Sequence, residues 1–386
     1  EPGWTELGNG TNGLVTTLLP LTNGGLLVAG TFNQAGGQDC RHVALWNGSS
    51  FQQMGNGLNG RAECAVEYTG MVIVGGSFQG GLRDIAYWDG SNWTYGNAFP
   101  GMFPVVHALH LHGGRLYAAG SSSGFAGVDH EVRKLSGHNW VTVGEKLNGS
   151  VHAMATYWGA LTIGGDFTGR ATFGTTDSSA MHVAQLVNGG WQQLTNGLDA
   201  PVYDLELLNG ELYAGGDAYN DQGDPVFGFA RQPLYGTAWE PLVDPNAPLL
   251  PAPGYTRIHA LHTVDNAAMY IGGRFGINHG AAQGKNFAVF HPNPGILLPS
   301  ARVNTDVADI ATQGGEVVFG GAFTTQTVAG ILFPAFTSPL RHIAIWSPGG
   351  DWSVRSAPAS TLEIGLLPNP ATEDLTITYT PETTGN

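Results

Sequence analysis

The sequence predicts an all-β chain folded as a seven-bladed β-propeller of four-stranded blades, and three observations carry that prediction. A glycine-rich word, G-x-L-x-(V/A/I)-(G/A)-G-x-F, returns seven times with drift along the 386 residues. Its copies lie roughly 44 to 57 residues apart, a period that marks a repeat architecture. Each copy is flanked by short apolar segments, and turn pairs such as Asn-Gly, Asp-Gly and Gly-Gly punctuate them as in hairpins. One four-stranded sheet leaves both faces uncovered, whereas sheets arranged radially cover one another.

Each strand of the repeat has its own sequence signature. Strand a reads VHALHL at 106–111, VHAMAT at 151–156 and IHALHT at 258–263. Strand b is the glycine word itself, as in GGLLVAGTF at 24–32, GMVIVGGSF at 70–78, GALTIGGDF at 159–167 and GELYAGGDA at 210–218. Its small residues suit the crowded interior, where large side chains would overpack. Strand c reads HVALW at 42–46, DIAYW at 84–88, HVAQL at 182–186, NFAVF at 286–290 and HIAIW at 342–346. Strand d commonly opens on Trp, as at Trp93, Trp140, Trp191, Trp239 and Trp352. Eight segments compete for seven d positions, because WTELGNGTNGL at the N-terminus repeats FQQMGNGLNGR of blade 1. Ring closure favours Trp4–Leu7 as the outer strand of blade 7, since pairing the two ends of the ring hides a sheet edge. The propeller is then expected over residues 1–356, with 357–386 outside it.

This frame accounts for most reactive-looking side chains. Nine of the ten Trp residues fall at repeat-equivalent positions of strands c and d, where they pack between blades, and Trp158 stands off the pattern. His42, His182 and His342 share the first position of strand c and read as structural. His107, His152 and His259 share one position of strand a, where three imidazoles facing the axis would suit a transition metal. The copies of that position are Thr16, Glu63, Tyr203 and Ala308, so such a ring is incomplete.

Asp217, Asp221 and Asp224 fall at the end of strand b and in the b–c loop of blade 5. They read either as a solvated acidic loop or as a weak Ca²⁺ site, because the spacing lacks the alternating ligands, central Gly and final Glu of an EF-type loop. No other cofactor is implied. The chain carries no G-x-S-x-G, no H-E-x-x-H and no glycine loop followed by Lys, so no catalytic motif points to an enzyme. Paired carboxylates drawn from different blades remain the one route to glycoside chemistry.

Loop lengths narrow the functional face. The a–b and c–d turns are tight, while the b–c loops vary, and b–c loops share a face with the d–a links. That face also carries three Pro-broken apolar segments: FPGMFP at 99–104, PLLPAPGY at 248–255 and TVAGILFPAFTSP at 327–339. They read either as a lid over the channel or as a contact patch, with Phe103, Tyr255, Ile331, Leu332, Phe333 and Phe336 as its candidate residues. Cys40 and Cys64 approach the same face from adjacent blades, and a Cys40–Cys64 disulfide is expected, which requires an oxidising compartment.

Charge and hydropathy exclude several partners. A net charge of −15 with three lysines disfavours nucleic acid and anionic membranes. No run of about 18 apolar residues occurs, so no membrane span is expected. No charged-then-apolar leader precedes Glu1, so the chain is expected to be cytosolic or already processed.

Residues 362–380 break the repeat. Within them LLPNPATEDLTI resembles the opening of the C-terminal type IX secretion sorting domain of Bacteroidota, through Pro368, Asn369, Pro370, Ala371, Asp374, Leu375 and Ile377. Words such as GGSF…DIAYWDGSNW are similar to propeller modules that often precede that domain. The resemblance implies export by the type IX machinery, release or attachment at the cell surface, and a truncated start of the sorting domain in 357–386. The expected function is a secreted or cell-surface propeller with a non-catalytic binding or structural role, its partner a surface protein, a glycan or another copy of itself. An extracellular surface-layer or filament subunit and an extracellular carbohydrate-active enzyme are the alternatives. In this setting the Asn9, Asn47, Asn92 and Asn148 sequons need no glycan, since three of them are turn Asn-Gly pairs.

Overall fold

The computed structural model describes residues 3–124, 127–170, 180–217, 228–242, 249–250, 257–264, 266–279, 282–292, 296–299, 302–328 and 336–347. Within them every regular element is a strand, and seven four-stranded blades stand in a ring. Blade 1 orders Val15–Pro20, Leu26–Gly30, Val43–Trp46 and Phe51–Gln53 from the axis outward. Blades 2 to 6 repeat that order, beginning with Arg61–Tyr68, Met102–His112, Val151–Tyr157, Val202–Leu208 and Arg257–Val264. Blade 7 begins with Val307–Gln313, and this strand a packs on that of blade 1 to complete the inner ring. No described helix is long and apolar enough to cross a membrane.

Closure follows the N-terminal alternative. Gly3–Glu6 is the outer strand of blade 7, antiparallel to Ile343–Ser347, with Trp4 opposite Trp346. Trp4 is buried, with its ring 5.3 Å from Phe287, 4.6 Å from Phe319 and 5.2 Å from Trp346. Trp352–Arg355 lies outside the described residues.

Two devices set the inner ring. Every strand a carries a β-bulge, one or two residues from its start in six blades and five in blade 3, at Thr16, Glu63, His107, His152, Tyr203, His259 and Ala308. A bulge inserts one residue against the partner strand and re-aims its side chain. The glycine pair of strand b then accommodates the crowding. A Cβ on Gly164 would stand 2.6 Å from Val202 of the next blade, and one on Gly272 would stand 2.5 Å from Val307. The second glycine of each pair meets the carbonyl two residues before the bulge of its own blade, 2.2 Å away from a would-be Cβ at Gly216 and Gly273. Any side chain there must displace backbone.

On the b–c side, blade 6 grows beyond four strands. Its hairpin Ala268–His279 and Ala282–His291 continues outward and is flanked by Leu249–Leu250 and Arg302–Val303. Arg302–Val303 pairs with Thr325–Val328, which pairs with Phe336–Pro339. Two of the Pro-broken segments therefore supply strands to this auxiliary sheet. In the third, Phe99 is core, its N–H bound to Asp84 at 2.7 Å, and Met102 opens strand a of blade 3.

The cysteine expectation is corrected. Both thiols are free, because they pack into different gaps of the ring. Cys40 is buried with Leu7, Val15 and Ile343 between blades 7 and 1, whereas Cys64 packs with Phe99 and Val106 between blades 2 and 3. A bridge between them would have to cross the core of a blade.

The strand-c histidines are structural, as their shared position suggests. His42, His182 and His342 all take left-handed backbone angles, φ 61°, 59° and 64°, as does Asn286 at 65° in blade 6. Their N–H groups bond to the carbonyls of Phe32, Phe167 and Phe323, which end the glycine words. Trp158, off the pattern in sequence, is 64% exposed on the a–b turn of blade 4 and stacks on Tyr157.

Candidate functional site at the channel mouth

Strand a starts and strand b ends on the same face as the b–c loops, so the bulge residues meet at that mouth of the channel. There they form an arc from blade 3 to blade 6. His107 meets His152 edge-to-face at 5.7 Å, His152 stacks on Tyr203 at 4.9 Å, and Tyr203 meets His259 edge-to-face at 5.8 Å. The Arg257 guanidinium lies 3.9 Å over the Tyr203 ring, a cation–π contact. Tyr203 is thus sandwiched between Arg257 and His152. The arc stops at blades 7 and 1, where the copies are Ala308 and Thr16, and Thr16 spends its hydroxyl on the Ala62 carbonyl at 2.7 Å.

Asp166, Asp217 and Glu63 at this mouth each accept from a neighbouring side chain, whereas Asp306 leaves its Oδ1 without a hydrogen bond. Asp166 accepts from His152 Nε2 at 2.9 Å and from the Tyr203 hydroxyl at 3.4 Å. Asp217 takes both arms of the Arg257 fork at 2.6 and 3.0 Å. Glu63 pairs with Arg61 at 2.8 Å, and Asp306 faces Arg274 at 3.9 Å. Fork-shaped pairs of this kind fix geometry as well as charge. His107 bonds Ser121 at 3.1 Å. Burial, with the neighbouring His152 charge adding to it, pushes His107 down to about 4, and burial does the same to His259. Both imidazoles are therefore neutral at pH 7, each with one donor and one acceptor nitrogen. Burial raises Glu63; at Asp166 burial is the largest single influence and also raises, but the His152 bond, the His152 and Arg257 charges and the Tyr203 bond together outweigh it and lower the carboxyl.

Of the three loop aspartates, Asp217 is ion-paired, with both oxygens on the Arg257 fork. Asp221 and Asp224 lie outside the described residues. No group of metal-ligating side chains occurs among the described residues, which includes the strand-a histidines. Phe103 is exposed, as are its neighbours Leu82 and Met102, on the same face beside blades 2 and 3. Phe336 begins the edge strand of the auxiliary sheet. Tyr255, Ile331, Leu332, Phe333 and the sorting word Pro368–Asn369–Pro370–Ala371 with Asp374 lie outside the described residues. A cleft of about 200 Å³ opens between blades 4 and 5, against Met181, Leu198 and Trp239, away from the arc. Asp199 is its one charged lining residue.

Sequence reasoning found the bulge histidines but missed their partners. Two of those partners, Ser121 for His107 and Asp166 for His152, sit at the variable position of the glycine word, just after its (G/A)-G pair, and Asp217 and Arg274 hold the same position in blades 5 and 6, where they pair with Arg257 and Asp306. The polarity of that position in a word otherwise apolar was the available signal. At the opposite mouth side chains bond neighbouring blades together, as in Thr22–Glu67 at 2.7 Å, His110–Thr156 at 2.9 Å, Thr263–Glu206 at 2.6 Å and His262–Thr312 at 2.8 Å.

No known family profile matches this chain, and no curated protein does. Solved structures match in fold. The WD40 β-propeller domain of Doa1 superposes with a TM-score of 0.54 at 9% identity, over 88% of this chain and 94% of that one. The extracellular domain of the putative one-component system BT4673 from B. thetaiotaomicron gives 0.50 at 13%, over 92% and 48%. Puromycin hydrolase gives 0.52 at 10%, over 88% and 56%. The chain spans about half the length of the latter two. At such identities the likeness is one of fold, and function must be argued from the site.

Proposed function

We propose that this chain is a secreted or cell-surface binding propeller, without catalytic activity, that receives its ligand at the channel mouth on the b–c loop face. The observation that carries this reading is the bulge-mounted arc, in which His107, His152, Tyr203 and His259 come from four blades and meet ring against ring. Rigid elements that present convergent polar groups are the usual form of a recognition site. At the other mouth, polar side chains tie neighbouring blades together. The C-terminal sorting word supports export, and attachment or release at the surface follows from it.

The test is hydrogen exchange of the full chain with and without extracellular polymers from its source cells. Protection of 105–107, 150–152, 201–203 and 257–259 is the expected result. Protection confined to the tight a–b and c–d turns overturns the proposal. Breakdown of the polymer during the same incubation would instead make the site catalytic.

A further inference from the structure

Resting on that reading, we infer that the channel mouth takes an uncharged, hydroxyl-rich ligand, a neutral glycan. An anion would need unbalanced cations, but Arg61, Arg257 and Arg274 each face a carboxylate here. The chain's net charge of −15 adds repulsion at long range. A cation would need unbalanced carboxylates, but Asp166 and Asp217 are held by His152 and the Arg257 fork. An apolar or aromatic ligand would need an open ring face. Tyr203, the largest ring of the arc, is covered on one side by Arg257 and on the other by His152.

What the mouth does present is planar hydrogen-bonding groups with fixed orientation, each arginine facing a carboxylate. A carboxylate has about four acceptor sites and a guanidinium five donors, so paired groups keep unspent capacity at their exposed edges. The Asp166 side chain is 41% exposed and that of Arg61 is 53% exposed. Neutral imidazoles at His107 and His259 add groups that are donor and acceptor at once. A sugar hydroxyl is also donor and acceptor at once, and vicinal hydroxyls match a planar fork. Groups already locked by their partners lose little freedom on binding, which suits ligands whose individual contacts are weak.

The experiment is calorimetry on the full chain with maltohexaose, cellohexaose and mannohexaose as probes, and with oligogalacturonate of similar length as the charged comparison. At least one neutral hexaose is expected to bind, with an affinity unchanged between about 0.05 and 0.5 M NaCl, since screening acts on charged ligands. Arg257→Lys keeps the charge but loses the fork, and is expected to weaken binding at least tenfold. Asp166→Asn serves as a second variant should the first fail to fold. Binding of oligogalacturonate alone, with steep salt dependence, overturns the inference. So does failure of all three neutral probes while another ligand protects the mouth from exchange, an outcome that leaves the proposed function standing. A neutral sugar mapped to the a–b turns overturns both.

Discussion

The Asp309 carboxylate accepts the Leu18 N–H at 2.7 Å across the seam where blade 7 meets blade 1. Asp204 accepts the Leu261 N–H, also at 2.7 Å, between blades 5 and 6. Each aspartate directly follows the bulge residue of its strand a, where the other blades carry Thr17, Cys64, Ala108, Ala153 and Ala260. A bulged strand leaves a neighbouring backbone donor to satisfy, and these two carboxyls satisfy it from the adjacent blade.

A pH dependence follows, with a definite sign. Burial raises Asp204 to about 8 and Asp309 to about 6, against an ordinary value near 3.8, although their N–H bonds pull the other way. A raised carboxyl contributes stability that is full below the unfolded value and is lost as pH rises through the folded one. His107, His110 and His259, lowered to about 4, act oppositely, as do His42, His130, His182, His262, His291 and His342, which burial also lowers. The histidine contribution is common to the wild type and to Asp204→Asn, which keeps an acceptor for Leu261, so the difference between the two isolates Asp204. The melting temperature of Asp204→Asn should rise relative to that of the wild type from about pH 6.5 to 8. A difference that stays constant across that window would show that Asp204 ionises normally.

The N-terminal strand is expected to be the clasp of the ring. Trp4 fills the aromatic cluster of blade 7, so Trp4→Ala should cost about 3–5 kcal/mol, as for other buried Trp truncations. Removal of residues 1–10 should lower the melting temperature at least as far. An unchanged melt after that deletion would mean that Trp352–Arg355 takes the d position in its place.

Blade number, strand order and closure were legible because each rests on a local word repeated seven times, and the surplus d segment could be counted. The channel mouth was legible only in part. His107, His152 and His259 stood out as a shared position, but that position is the extra residue of a bulge, and bulges leave no mark in period-2 alternation. Asp217 looked like part of an acidic loop because Asp221 and Asp224 follow it. Its partner Arg257 lies 40 residues on, at the start of the next blade's strand a. The cysteines misled for a related reason: closeness in the repeat says which blades two residues occupy, not which side of a blade they face.

That side decides the thiol chemistry. Burial raises both Cys40 and Cys64, so neither forms thiolate readily at neutral pH. A disulfide-selective mass shift should be absent, and a thiol reagent should label two sites per chain in denaturant but react slowly with the native protein. Fast labelling of the native chain at both positions would contradict the packing of Cys40 against Leu7 and Val15.

The last expectation concerns how a glycine of strand b positions the arc. Gly164 has ordinary backbone angles, so replacement by Ala strains nothing locally, yet its Cβ would meet Val202 Cγ1 at 2.6 Å and Leu205 at 3.3 Å. Val202 directly precedes Tyr203, the ring sandwiched between His152 and Arg257. Gly164→Ala should therefore cost about 1–3 kcal/mol through overpacking, and should also displace Tyr203. Gly189 is the control: it has nothing within 4 Å of a would-be Cβ but a φ of +86°. Gly189→Ala should cost stability through its backbone alone. Exchange rates at 202–204 separate the two, rising in Gly164→Ala and unchanged in Gly189→Ala. Equal rates in both variants would mean that blade packing does not hold Tyr203 in place, and that the ion pairs of the mouth suffice.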